Sequence, residues 1–237
     1  MTARVLRDDA AGRAQAIDVL RRGGLVGLPT DTVYGIGVTL DARDGLERLF
    51  AAKKRPLDKA IVLLVADIGQ AERTGVFGPA ARALASACWP GGLTLVVPRR
   101  DEARLPEVLT AGASTIGLRL PGHGAPRALA RAIGPLPVTS ANLSGLPDST
   151  TAAAVVASLG ESLDLILDGG SAPGGVSSTV VRCEGWETGI LREGAIPAAR
   201  IAEIVNAARE GRPEPEALLG DESSGLLEEW DGDEPEE

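Results

Sequence analysis

Apolar positions change their spacing repeatedly along the chain, and each change marks an element. Residues 11–22, AGRAQAIDVLRR, read as an amphipathic helix stopped by Gly23 and Gly24. LVGLP at 25–29 is a short apolar run closed by Pro29, the pattern of a buried strand. Residues 41–54 place Leu46, Leu49, Phe50 and Lys53 at i, i+3, i+4 and i+7, one face of a helix. IVLLVA at 61–66 predicts a buried strand, 79–88 a helix and LTLVVP at 93–98 a strand. TIGLRLP at 115–121 alternates and predicts a strand; 125–133 predicts a helix, LPVTS a strand and 151–159 a helix. DLILD, STVVRC and GILR give three late strands. A last helix runs from Pro197, suited to a first turn, to about Arg209. No internal repeat interrupts the series. One mixed domain over 1–211 is predicted, with connections too irregular for a simple doubly wound sheet.

Composition narrows the class. The 237 residues suffice for a sizeable core without disulfides or a structural metal. No apolar run approaches the roughly 18 residues of a membrane span, and MTARVLRDDAAGR has no apolar signal core, so a cytoplasmic protein without membrane contact is expected. Cys88 and Cys183 lack CxxC spacing and read as small buried hydrophobes. His123, the lone histidine, reads as a surface turn residue in PGHG.

The net charge of −9 is unevenly placed. Eleven of the 33 acidic residues, but only one of the 24 Lys and Arg, lie in 212–237. That acidic stretch is expected to be a disordered, solvated tail; a short docking motif at Leu226, Leu227 and Trp230 is the less favoured reading. The remaining body is balanced, with 22 acidic against 23 basic residues, and is able to carry a local basic cleft.

Candidate chemistry sits in four stretches. All three lysines, Lys53, Lys54 and Lys59, fall in KKRPLDK, whereas the other 21 basic residues are arginines. Mobile ammonium groups beside the Arg55 fork suit phosphate, and the segment reads as a loop between helix and strand. PTDTVYGIG at 29–37 presents Thr30, Asp31 and Thr32 at a strand end, with the only tyrosine, Tyr34. VTSANLSG at 138–145 offers Ser140, Asn142 and Ser144, and GGVSSTVV at 174–181 brings small residues and hydroxyls into a strand. Trp89 in CWPGG reads as a core or cleft-wall residue. There is no GxxxxGK[ST], GxGxxG, GxSxG or HExxH. Lys, Arg, hydroxyls, Asn and backbone amides remain, tools for positioning and charge neutralisation at phosphorus rather than for a covalent nucleophile.

PTDTVYGIG, K-x-R-P at Lys53–Pro56, WPGGLTLVV, TIGLRLP, SANLSG, GGVSSTVV and ILREG resemble, in this order, the YrdC-like family of threonylcarbamoyl-AMP synthases. The likeness runs from about residue 12 to 205. It implies an α+β fold, a twisted mixed β-sheet with flanking helices around a concave basic cleft. It also implies a reaction: L-threonine, bicarbonate and ATP give L-threonylcarbamoyl-AMP and pyrophosphate, with Mg2+ arriving on ATP. The product would pass to the tRNA threonylcarbamoyl transfer machinery, and a weak contact with tRNA itself is compatible with such a cleft.

The resemblance also implies roles. Thr32, Arg119, Ser140 and Ser178 should contact L-threonine, with Arg119 on its carboxylate. Lys53, Arg55, Lys59, Thr115, Asn142, Thr150 and Arg192 should contact ATP, and Lys53 and Arg55 should carry catalysis. This chain departs from relatives that place a threonine-contacting His where Leu64 stands, and from longer ones whose second domain covers the site. Two other readings stay open. One is a carbamoyl-adenylate-forming module of a carbamoyltransferase; the other is a non-catalytic RNA-binding protein, disfavoured by only six aromatic residues for base stacking.

Overall fold

The computed structural model describes residues 2–211. The acidic tail expected over 212–237 lies outside them. The strands are β1 (Arg4–Arg7), β2 (Val26–Leu28), β3 (Gly35–Gly37), β4 (Val62–Leu64), β5 (Leu93–Pro98), β6 (Thr115–Arg119), β7 (Leu136–Ser140), β8 (Leu165–Asp168), β9 (Thr179–Glu184) and β10 (Glu187–Arg192). The helices are α1 (Ala10–Arg21), α2 (Gly45–Lys53), α3 (Ile68–Thr74), α4 (Pro79–Cys88), α5 (Glu107–Thr110), α6 (Gly124–Ile133), α7 (Ala152–Leu159) and α8 (Ala198–Glu210).

All ten strands join one mixed sheet, in the order β1-β8-β2-β3-β7-β4-β6-β5-β9-β10. The pairs β1–β8, β2–β8, β4–β6 and β5–β9 are parallel, and the remaining pairs antiparallel. Helices cover both faces of this α+β arrangement. On one face α1 and α6 bury Ala16, Leu20, Ala125 and Leu129 against Val26, Leu28, Leu136 and Leu165. On the other, Leu49, Phe50, Leu84, Val155 and Ile201 from α2, α4, α7 and α8 pack against Ile36, Leu63, Leu95, Leu118 and Val181.

Each predicted element is present; α4, β5 and β7 keep the predicted bounds, and the others have shifted ends. The predicted helix over 41–54 begins at Gly45, and its apolar face is buried as expected: Leu46, Leu49 and Phe50 lie in the core. Four elements escaped the pattern. β1 has only Val5 and Leu6 between arginines. β3 reads GIG, and glycine is poor strand material. Here it is required, because a Cβ at Gly35 would stand 2.6 Å from Val138 Cγ1. α3 starts at an Asp67 cap, whose side chain accepts from the Gln70 N–H at 2.8 Å, and α5 is a single turn.

Candidate active site

A cavity of about 420 Å³ opens on the sheet face that carries α1 and α6. Its floor follows from the period of two along each strand. β6 contributes Thr115, Gly117 and Arg119, β5 Thr94 and Val96, β4 Val62 and Leu64, and β7 Val138 and Ser140. Ser178, Val180, Leu191 and Arg192 form the wall from β9, β10 and the loop before β9.

One corner is polar and closed. After β2 the chain turns through Thr30, whose Oγ1 donates to the Val33 carbonyl at 2.6 Å and accepts from the Thr32 and Val33 N–H groups. That turn points Thr32 at Arg119. Nη1 of Arg119 donates to Thr32 Oγ1 at 2.9 Å, Nη2 to Asp31 Oδ1 at 2.7 Å, and Nε to the Gly91 carbonyl at 3.0 Å. Two of the five guanidinium N–H groups remain for a ligand. Burial pushes the Arg119 pKa down and Asp31 opposes that shift.

Lys53 is the last residue of α2, and the left-handed Lys54 (φ 50°) ends the helix there. The helix periodicity turns Lys53 inward, leaving it 2% exposed. Its Nζ donates to the Ser140 carbonyl, to Ser140 Oγ at 3.1 Å, to Asn142 Oδ1 at 3.2 Å and to Thr139 Oγ1 at 3.3 Å. Ser140 Oγ donates to Asn142 Oδ1 at 2.5 Å, and Asn142 donates to the Leu146 carbonyl. The lysine is a post under the SAN turn, not the mobile loop cation expected from composition. Desolvation lowers its pKa to about 8, with a further push from Arg55.

The open side holds two arginines. Arg192 grips the Ser178 carbonyl through Nε at 3.1 Å and Nη2 at 2.7 Å, and Ser178 Oγ shares a 2.8 Å hydrogen bond with Thr94 Oγ1. Arg55 donates to the Ala60 carbonyl at 2.8 Å. Burial lowers the pKa of both Arg55 and Arg192; Arg192 further lowers those of Arg55 and Arg119. Cations held close enough to repel one another, in a cavity, make a site for an anion.

Of the eleven residues singled out in the sequence, Thr32, Arg55, Thr115, Arg119, Ser140, Ser178 and Arg192 line the cavity. Lys53 and Asn142 lie immediately behind Ser140. Lys59 is exposed and Thr150 half-buried, and neither lines it. Leu64 is part of the lining. His123 caps α6, its Nδ1 accepting from the Ala125 N–H at 3.1 Å, rather than standing free in a turn. Trp89 packs edge-on against Phe77 away from the cavity, and its Nε1 donates to the Leu93 carbonyl. Cys183 is buried and its thiol pushed up to about 12, whereas Cys88 is only partly buried.

Sequence reading missed Thr94, Ser177 and Asp148. Ser177 Oγ donates to Asp148 Oδ2 at 2.5 Å, which joins the SAN loop to the 174–178 loop. The alternation of LTLVV was the available signal for Thr94, since it shares a strand face with Val96. Among the described residues, no three His, Cys, Asp or Glu side chains are grouped to hold a metal, and no helix is long and apolar enough to cross a membrane.

Comparison with known proteins bears on this cavity. Residues 18–194 match the Sua5/YciO/YrdC family model, whose description is "Telomere recombination". The threonylcarbamoyl-AMP synthase of Bacillus subtilis is 39% identical over 194 residues, covering 81% of this chain and 56% of that protein. The threonylcarbamoyl-AMP synthase of Pyrococcus abyssi is 35% identical over 196 residues, covering 82% and 57%. The chain therefore spans little more than half the length of these two curated relatives. The crystal structure of P. abyssi Sua5 complexed with L-threonine superposes with a TM-score of 0.78 at 33% identity, over 86% of this chain and 60% of that one.

Proposed function

The chain belongs to the Sua5/YciO/YrdC family, and on that footing we propose that it synthesises L-threonylcarbamoyl-AMP from L-threonine, bicarbonate and ATP, releasing pyrophosphate. This is a nucleotidyltransferase reaction that supplies the tRNA threonylcarbamoyl transfer machinery. The observation that carries the proposal is the grouping of Arg55, Arg119 and Arg192 around one cavity whose lining also carries the hydroxyls of Thr32, Ser140 and Ser178. Relatives named for this activity and a neighbour that binds L-threonine support it.

The chemistry distributes over the cavity as follows. Bicarbonate loses hydroxide to give CO2; the neutral amine of threonine adds to it, and the proton that the amine sheds joins the hydroxide as water, leaving an N-carboxylate. An oxygen of that carboxylate attacks the α-phosphorus of ATP in line, and the bond to the β-phosphate oxygen breaks. An anion attacking a polyanion needs fixed positive charge, which preorganised guanidiniums supply without reorganisation. Arg119, held by Asp31, Thr32 and Gly91, presents its two free N–H groups to the threonine carboxylate. Thr32, Ser140 and Ser178 offer oxygens to the amine and the side-chain hydroxyl. Arg55 and Arg192 receive the phosphates and Thr115 the nucleoside. Lys53 and Asn142 hold Ser140 in place from behind, with Lys53 adding positive charge. Lys59 and Thr150 would reach the nucleotide only through movement of their loops. The lining is made of guanidiniums and hydroxyls, groups suited to phosphate oxygens, so Mg2+ is proposed to enter on ATP.

The test is incubation of the chain with ATP, labelled bicarbonate and L-threonine. A labelled adenylate that needs all three reactants and appears with pyrophosphate supports the reading. Its absence, with ATP and threonine bound, points to a chain that recognises the ligands without joining them.

A further inference from the structure

Five glycines lie within strands: Gly27, Gly35, Gly37, Gly117 and Gly189. Three are explained by packing. A Cβ at Gly27, Gly35 or Gly37 would stand 3.0, 2.6 or 3.2 Å from Ile166 or Val138 side chains. Gly189 lies on the exposed edge strand with nothing within 4 Å. Gly117 differs from all of these. It sits in β6, inside the sheet between β4 and β5, where glycine weakens a strand. Its φ is not positive, so the backbone does not demand glycine. A Cβ there would meet Val62 Cγ2 at 3.4 Å and Thr94 Cγ2 at 3.5 Å, ordinary contacts. Both neighbours line the cavity, and so does Gly117 itself. The missing side chain leaves room on the cavity side and nowhere else.

The surroundings say what the room fits. Val96 stands directly opposite Gly117 across β5, and Val62 adjoins it on β4. Val180 lies diagonally on β9, opposite Thr94, and Leu191, 60% exposed, lines the same side of the cavity. Val62, Gly117 and Val96, on three neighbouring strands at about 4.8 Å spacing, make a strip roughly 10 Å across. Its side chains are aliphatic, with the arginines and hydroxyls placed around it. Phosphate or an amino-acid carboxylate has nothing to bond on such a strip, and a threonine methyl needs only one contact. A flat aromatic ring suits it.

We propose that Gly117 is a specificity-determining residue: its bare Cα lets the nucleobase lie flat on β6 between Val62 and Val96, and any side chain there would lift the ring. The inference rests on the reading of the cavity as a nucleotide site.

Isothermal titration of wild type, Gly117→Ala and Gly117→Val with ATP, with tripolyphosphate and with L-threonine tests it. Both variants should melt at or above the wild-type midpoint, since glycine in a strand interior is relieved. ATP should bind Gly117→Val at least about tenfold more weakly and Gly117→Ala less so, the scale on which added methyl groups are rejected. Tripolyphosphate, which has phosphate charge and no base, and threonine should bind all three alike. ATP binding at wild-type strength in both variants overturns the placement, as does an equal loss of tripolyphosphate. A wild-type chain that binds no ATP overturns the nucleotide reading itself.

Discussion

Asp31 and Arg119 form an ion pair at 2.7 Å in which the aspartate stands outside the cavity and the arginine inside it. The carboxylate therefore acts through the guanidinium and not on a ligand. It holds one Nη2 hydrogen while Thr32 holds one on Nη1, which fixes the plane of the fork. Removing Asp31 leaves a buried guanidinium short of a partner and free to swing. Hydrogen bonds to charged groups contribute about 1.5–3 kcal/mol. We expect Asp31→Ala to raise the KM for L-threonine roughly ten- to hundredfold on that scale, with ATP binding little changed. Asp31→Asn, which keeps an acceptor oxygen, should recover part of the loss. Equal weakening of ATP and threonine would show that Asp31 supports the fold and not the fork.

Lys53 makes a prediction about pH. Its folded pKa is about 8 against 10.5 for the free side chain. Below pH 8 both states carry the proton and the folded state bears the cost of the buried charge. Between about 8 and 10.5 the unfolded chain holds a proton that the folded chain has lost, so this group's contribution to stability rises with pH. Denaturant unfolding of wild type and Lys53→Met from pH 7 to 10 should show wild type gaining on the variant, by at most about 3 kcal/mol. A difference independent of pH would mean that the ammonium is solvated in the folded chain. Lys53→Ala is expected to lose stability as well as activity, since Ser140 and Asn142 lose their shared donor.

Arg55 separates the two roles that the KKRPLDK segment suggested. It is half-buried, lines the cavity and is tied to the chain only through the Lys59 and Ala60 carbonyls. Arg55→Ala should therefore melt close to wild type, because the carbonyls it releases are accessible to water. Turnover should fall at least about tenfold through the loss of one charge-assisted contact to phosphate. Pyrophosphate release at the wild-type rate from a folded Arg55→Ala chain would remove Arg55 from the site.

The sequence was most legible where one period held over several turns or strands. The spacing of Leu46, Leu49, Phe50 and Lys53 placed four residues on one helix face, and all four are buried together. The same spacing already said that Lys53 points inward, but its charge and its company in KKRPLDK argued for a mobile phosphate ligand. Burial wins because Ser140, Asn142 and Thr139 converge on Nζ from β7 and the turn after it, a long-range arrangement that no local pattern encodes. Short elements were hidden for a related reason. β3 is stable because its two glycines let it pass close to Val138, and the partner that makes glycine favourable lies about a hundred residues away. The hydroxyl pair Thr94 and Ser178 is likewise a product of parallel pairing between β5 and the entry to β9.

The order in which amino acids are accepted follows from the closed corner at Arg119 and the wall at Ser178. Threonine offers a carboxylate, an amine, a β-hydroxyl and a methyl. Arg119 matches the carboxylate, because a guanidinium pairs with it in plane. Thr32 and Ser178 are 2% and 5% exposed and already bonded to Arg119, Thr94 and Arg192. Such groups are preset rather than free to adapt. A buried site that hydrogen-bonds a ligand hydroxyl leaves its own groups unpaired when the ligand lacks one, and rejects it strongly. A missing methyl costs less, about 1–3 kcal/mol. Threonine should therefore be turned over fastest, serine roughly 10–200-fold more slowly on the methyl scale, and valine and alanine essentially not at all. Leu64 puts an apolar wall at the Arg119 end of the floor, next to it in register across β4 and β6. A methyl resting there gains from Leu64, so Leu64→Ala should narrow the gap between threonine and serine. Adenylate formation at saturating ATP and bicarbonate, with each amino acid in turn, is the measurement. Valine turned over as well as threonine would sink the hydroxyl-reading corner, and an unchanged gap in Leu64→Ala would put the methyl elsewhere.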